Sequence, residues 1–111
     1  MIATAAPENL ASHHVLRKAG LREQVMIDCS HANAAKQPRR QIDVAADVAA
    51  RVAAGERRIL GVMIESNLVA GSQSLEAGRQ LTPGQSITDG CLSLGQTVPV
   101  LEQLAQPLPC K

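Results

Sequence analysis

The 111-residue chain contains no Phe, Tyr or Trp. Aromatic side chains bury the most area per residue, so any core must be filled with Ala, Val, Leu and Ile. Tight folding in isolation is therefore not expected. There is also no ring on which a nucleobase could stack. Charge of one sign is just as scarce: 11 Lys and Arg against 10 Asp and Glu leave a formal net charge of +1. No strong field recruits nucleic acid or anionic lipid, and neither is expected as a partner. No apolar run approaches the roughly 18 residues of a membrane-spanning helix. The N-terminus lacks a basic segment followed by an apolar one, so it does not read as a signal peptide. Cysteine is sparse and odd in number. Cys29, Cys91 and Cys110 lie far apart with no Cys-x-x-Cys pair, which suits a reducing cytosol better than a secreted disulfide scaffold.

What is present is an ordinary globular share of hydrophobic residues, 45%, in a length that supports one small domain. Residues 1–6 carry no pattern and read as a loose lead-in. From Pro7 a helix is expected to run to Gly20, with Arg17 and Lys18 in its last turn and the glycine as its stop. Val25 to Cys29 is an apolar run of strand-forming residues. A long helix follows over residues 37–54, where Ile42, Ala45, Ala46, Val48, Ala49, Val52 and Ala53 recur at helical spacing. At 1.5 Å per residue it would be about 27 Å long, enough to cross back along a strand. Ile59 to Ile64 is a second apolar run. Strand, helix and strand span a βαβ unit with parallel strands, and their unbroken apolar character predicts strands covered on both faces. Residues 67–86 form a polar loop rich in Gly, Ser and Gln, of a length that is usually functional or disordered. A last helix is expected over residues 97–106, with Pro107 and Pro109 barring its continuation.

Each apolar strand gives way to polar residues. The first ends in Asp28-Cys29-Ser30-His31-Ala32-Asn33 and the second in Glu65-Ser66-Asn67. In parallel α/β folds, reactive groups sit at the carboxyl ends of strands and on the loops that follow. His31 and Glu65 occupy equivalent strand ends, and with Asp89 they make three side chains able to bind a divalent cation through N or O. The residues alone also allow a plainer reading, in which a strand-end His or Glu meets solvent or caps the next loop. Asp28 is placed either to orient a ligand from behind or to sit in an interior hydrogen-bond network. Asn33 and Gln37 read as loop ties. Lys36, Arg39 and Arg40 crowd a helix start, either facing a phosphate or simply solvated. His13 and His14 are adjacent on a helix and read as surface residues.

Four stretches, in order, carry a resemblance. Residues 25–41 resemble the seventh strand and following helix of class I 3-deoxy-D-arabino-heptulosonate-7-phosphate (DAHP) synthases. Gly61-Val62-Met63-Ile64-Glu65-Ser66-Asn67 resembles their eighth strand, and Gly71-Ser72-Gln73 and Ser86-Ile87-Thr88-Asp89-Gly90-Cys91 the loop beyond it. The likeness runs from about Arg17 to Cys91. It implies an α/β chain forming the C-terminal quarter of a (β/α)8 TIM barrel, two parallel strands with helices, not closed by this chain. Residues 1–111 would be a single partial domain. The family condenses phosphoenolpyruvate with erythrose 4-phosphate and water, at the head of the shikimate route to aromatic amino acids, and is expected to be cytoplasmic and homo-oligomeric.

The resemblance further implies a divalent metal held by a Cys, a His, an Glu and an Asp. His31, Glu65 and Asp89 would take the last three roles, with His31 and Asp89 also counted as catalytic and Asp28 and Asn33 as supports behind them. The mixed donors suit Mn, Fe, Co or Zn. No other cofactor is implied. The family's metal-binding Cys and its phosphate-holding Arg and Lys belong to earlier strands. Cys29 lies two residues before His31, roughly 6.6 Å deeper along the strand, and is not expected to reach the ion. Cys91 is expected to pack beside Asp89. Asn67, Ala70, Gly90 and Leu94 depart from the His, Glu, Ala and Trp common at these positions. With three of four ligands and no phosphate grip, this chain alone is expected to be inactive. The alternative is a non-catalytic remnant that binds metal or associates with a full-length synthase. A Cys- and His-based metal carrier ranks last, because no close-set ligand pair exists.

Overall fold

The structure, a computed structural model, describes residues 3–4 and 10–106. Its elements in order are β1 (Ala3–Thr4), α1 (Leu10–Lys18), β2 (Val25–Asp28), α2 (Arg40–Ala53), β3 (Ile59–Met63), β4 (Ser66–Asn67), β5 (Leu92–Ser93) and α3 (Leu94–Ala105). β1, β2 and β3 form a parallel sheet in that order, and β4 pairs with β5 in a second, two-stranded parallel sheet. The lead-in thus contains a short strand, with Ala3 opposite Val25 and Thr4 opposite Met26. Two residues are too few to show a periodic pattern, so no strand is legible there from the residues alone. Where two strands were expected, the described residues contain five. The expected βαβ unit over β2, α2 and β3 is present.

Both glycine stops act as anticipated. Gly20 (φ 72°) and Gly55 (φ 102°) take left-handed conformations that residues with a Cβ disfavour. At each, the next residue's N–H bonds a carbonyl five positions back: Leu21 to Leu16 and Glu56 to Arg51. This is the Schellman closure of a helix end. The start of α2 falls three residues later than the apolar spacing suggests. Gln37 precedes Pro38, which disfavours the α region for it. The next turns close on bonds three residues back, Arg40 to Gln37, Gln41 to Pro38 and Ile42 to Arg39, before the α-helical pattern takes over. α3 starts three residues earlier than expected. Ser93 and Gln96 close a capping box there: the Gln96 N–H donates to Ser93 Oγ at 3.2 Å and the Ser93 N–H donates to Gln96 Oε1 at 2.9 Å. The Pro7 to Glu8 start of the first helix, the prolines after α3 and Cys110 lie outside the described residues.

The core joins Leu16, Val25, Ile27, Cys29, Ala45, Val48, Leu92 and Val100. It packs α1, α2 and α3 against the sheet and contains no aromatic ring, as composition required. Coverage of the sheet is uneven. β2 alternates buried and half-buried residues, whereas β3 has none fully buried and leaves Leu60 52% exposed. The expected cover of both faces therefore fails at β3, and among the described residues no strand pairs with its outer edge. His13 is also not the surface residue expected. It is buried on α1, next to Leu16 on the inward side, while His14 is exposed. Among the described residues, no helix is long and apolar enough to cross a membrane.

Candidate metal centre

β2 and β3 end in register, Asp28 opposite Met63. His31 and Glu65 therefore emerge at one end of the sheet, as the sequence spacing suggested. Asp89 comes back to the same place along a different route. The loop from β4 to β5 is neither open nor loose. The Gln73 amide donates to the carbonyls of Thr82 (2.8 Å) and Gln85 (3.0 Å) and accepts the Thr82 N–H (2.8 Å). The Gln85 side chain donates to the Ala70 carbonyl at 2.9 Å. Backbone bonds join Gly71 to Cys91 in both directions. Two glutamine side chains thus supply much of the bonding that a regular sheet would, and they return the chain to the strand ends.

The result is a convergence of three segments. His31 Nε2 lies 3.4 Å from Glu65 Oε1 and 3.4 Å from Asp89 Oδ2. One ligand atom from each of the three residues falls within 4.8 Å of the others. Two donors bound to one cation at about 2.1 Å and at ordinary angles sit roughly 3.0–3.4 Å apart, so this spacing fits a shared ion. The donor set of one imidazole nitrogen and two carboxylate oxygens is one that divalent transition metals accept.

The imidazole is held from behind. His31 Nδ1 is 2.9 Å from Asp28 Oδ2, and the Ser30 hydroxyl, which donates to Asp28 Oδ1 at 2.6 Å, lies 2.8 Å from Nδ1 as well. The Ser30 N–H adds a bond to Asp28 Oδ1 (2.8 Å), and Asn33 Nδ2 donates to the Asp28 carbonyl (2.6 Å). A proton on Nδ1 facing Asp28 leaves the Nε2 lone pair aimed at Glu65 and Asp89, the tautomer a metal ligand needs. His31 achieves this at φ 48°, in the left-handed region.

Charge follows the same map. The hydrogen bond to Asp28 raises the His31 pKa above its ordinary value, and the charges of Asp28 and Glu65 add to that against a smaller desolvation penalty. Burial pushes Asp28 upward, but the bonds from Ser30 and His31 outweigh it and hold the carboxyl below its usual range. Glu65 is raised, first by burial and then by Asp89, with His31 opposing. Glu65 thus shows the shift of a half-buried carboxylate with a second carboxylate beside it.

Cys29 is fully buried, its thiol pushed up to about 11 by burial and then by the neighbouring Asp28 charge. It is not among the converging donors. Cys91 is partly buried, with its thiol 3.6 Å from the Asp89 carbonyl. A cleft of about 130 Å³ opens beside the three ligands, lined also by Ser30, Lys36, Gln37, Pro38, Gln41 and Gly90. Lys36 and Gln37 thus border the site. Two contributors were missed from sequence. Ser30 gives no pattern signal, but Gln41 does: it is the one polar member at the head of the buried stripe continued by Ala45 and Val48.

Most of the chain is similar to known proteins. Residues 2–102 match the model of the DAHP synthetase I family. The chain is 52% identical over 103 residues to the Phe-sensitive phospho-2-dehydro-3-deoxyheptonate aldolase of Escherichia coli, covering 87% of this chain and 29% of that protein. It is 39% identical over 98 residues to the corresponding Corynebacterium glutamicum aldolase, covering 82% and 27%. The solved structure of the Francisella tularensis aldolase superposes with a TM-score of 0.78 at 48% identity, over 83% of this chain and 26% of that one. The chain therefore spans under a third of the length of the curated relatives it matches. With a family match over nearly its whole length and relatives at this level of identity, the chain belongs to the DAHP synthetase I family.

Proposed function

We propose that this chain supplies the last quarter of a (β/α)8 barrel and, with it, His31, Glu65 and Asp89 of the divalent metal centre of a 3-deoxy-7-phosphoheptulonate synthase. The observation that carries the reading is His31 Nε2 standing 3.4 Å from a carboxylate oxygen of each of two residues from separate segments, with its other nitrogen occupied by Asp28. Two features of β3 support the barrel reading: among the described residues nothing pairs with its outer edge, and its Leu60 is exposed, whereas parallel strands are normally covered on both faces and edges are normally protected.

The reaction joins the methylene carbon of phosphoenolpyruvate to the aldehyde carbon of erythrose 4-phosphate. Water adds at the phosphate-bearing carbon, and the C–O bond to phosphate breaks. A divalent cation at this site supplies Lewis acidity to a carbonyl oxygen. The chain's own residues do the rest of what falls to this part of the barrel. Asp28 and Ser30 fix the His31 tautomer and ring plane. Glu65 and Asp89 keep the centre anionic. Lys36, exposed on the cleft and without an ion-pair partner among the described residues, offers a cation to a substrate anion. The family's Cys ligand and its other phosphate-binding cations have no counterpart here, so the 111-residue chain binds metal without turning over.

The test is Mn²⁺ titration of the purified chain, followed by electron paramagnetic resonance of the free ion, with an assay on both substrates. One saturable Mn²⁺ site, lost in His31→Ala, and no turnover are expected. Absence of saturable binding would refute the metal centre, and turnover at rates typical of an enzyme would refute inactivity. A second reading, a non-catalytic chain that associates with a full-length synthase, is favoured by one observation. Leu94, Val98 and Leu101 form an exposed apolar stripe on α3, at i, i+4 and i+7.

A further inference from the structure

Gln41 is the most deeply buried polar side chain of the helix that faces the site, 1% exposed in the first turn of α2. Its carboxamide reaches Glu65 and grips both backbone groups of that residue. The Glu65 N–H donates to Gln41 Oε1 at 2.8 Å, and Gln41 Nε2 donates to the Glu65 carbonyl at 3.2 Å. The same carbonyl accepts the Leu92 N–H at 2.9 Å. The β2–β3 ladder stops at Met63, so Glu65 lies beyond the last strand pair and would otherwise have a free N–H in a half-buried position. The primary amide stands in for the missing strand neighbour. An amide N–H left without a partner in such a position is destabilising, so the grip fills a structural need. No other side chain does both jobs at this length. Met or Leu can neither accept nor donate, ionised Glu cannot donate, and Asn is one methylene short.

We propose that Gln41 is a positioning residue for the metal centre, a latch from α2 that fixes the backbone of Glu65 so that its carboxylate faces His31 and Asp89. The proposal rests on the reading of those three residues as cation ligands. Gln41 is not itself a ligand. It acts on the ion only through Glu65, much as Asp28 acts only through His31.

The experiment uses the 111-residue chain as wild type, Gln41→Met, Glu65→Ala and the double variant. It reads the Mn²⁺ dissociation constant and, by NMR, the hydrogen exchange of the Glu65 amide. Gln41→Met should weaken Mn²⁺ binding by about 10- to 100-fold, the usual effect of removing a group that orients a ligand. It should also speed exchange at Glu65 while the amides of Val25–Asp28 stay protected. In the Glu65→Ala background it should change Mn²⁺ affinity by less than about twofold, because the path it acts through is gone. Wild-type affinity in Gln41→Met overturns the latch. So does an equal loss in both backgrounds, which would mean a general loosening. If the wild type binds no Mn²⁺, the cation reading fails by itself, and the latch then stands or falls on Glu65 exchange: unchanged protection in Gln41→Met overturns it. Should Gln41→Met not fold, Gln41→Asn keeps the amide but falls short of Glu65, and the same outcomes apply.

Discussion

The two ends of the parallel sheet use charge in opposite ways. At the amino end the ion pairs are local in sequence: Arg17 with Glu23, and Arg58 with Glu56 across a single residue. Each carboxylate there meets an opposite charge, and Glu56 is held down to about 2, chiefly by hydrogen bonds from the Arg58 side chain and backbone. At the carboxyl end the partners come from far apart in the chain, and two carboxylates crowd one imidazole. A charge surplus assembled by the fold itself lowers stability unless something binds it, whereas neighbour pairs need no fold to meet. The first arrangement stabilises a little; the second is compatible with a bound cation.

The largest expected effect comes from cutting the support behind the imidazole. Asp28→Asn keeps the shape but frees the His31 tautomer, and Mn²⁺ affinity measured by titration should fall by about 10- to 100-fold. Equal affinity would dissolve the contrast between the two ends. Next is Gly90→Ala. A Cβ there would stand 2.5 Å from Pro38 Cγ, a ring that cannot rotate away, so the segment carrying Asp89 must shift. The expected cost is about 1–3 kcal/mol in urea unfolding, with weaker Mn²⁺ binding, and Pro38→Ala in the same chain should recover part of both. An additive double variant would show that the contact is not the cause.

The amino end should respond far less. Glu56→Gln is expected to cost about 0.5 kcal/mol near neutral pH, since surface pairs contribute little. Its pH dependence carries the sign of a depressed carboxylate. The contribution is present above the unfolded value of about 4.5 and disappears as pH falls towards about 2. Unfolding curves of Glu56→Gln and wild type should therefore converge between those limits. The smallest effect belongs to Arg17→Met, whose own side chain is largely exposed, where no change in the urea midpoint beyond measurement error is expected.

Much of this was legible from residues. The apolar runs gave β2 and β3, the 3.6-residue spacing gave α2, and two glycines marked helix ends where they do occur. Strand-end polarity brought His31 and Glu65 to one edge. Motif resemblance, not spacing, brought Asp89 to them, because the connecting loop folds on contacts between Gln73 or Gln85 and distant backbone that no periodicity encodes. β1, β4 and β5 are two residues each, below the length at which alternation is visible. Ser93 and Gln96 spell a capping box, which marks the start of α3 three residues before the apolar spacing does. Gln41 was readable as a polar residue on a buried stripe, but its partner was not, since that partner is backbone. His13 misled because adjacency says only that two neighbours face apart, not which of them faces inward.

The turn from His31 to Lys36 has one more consequence. Three residues with side chains, His31, Ala35 and Lys36, are wound left-handed with no glycine among them, at a cost of roughly 1–2 kcal/mol each. The imidazole is therefore mounted on the stretch of chain that gains most by relaxing. On warming, this turn should slacken while the sheet beneath it is still intact, and the cation would be lost before the scaffold melts.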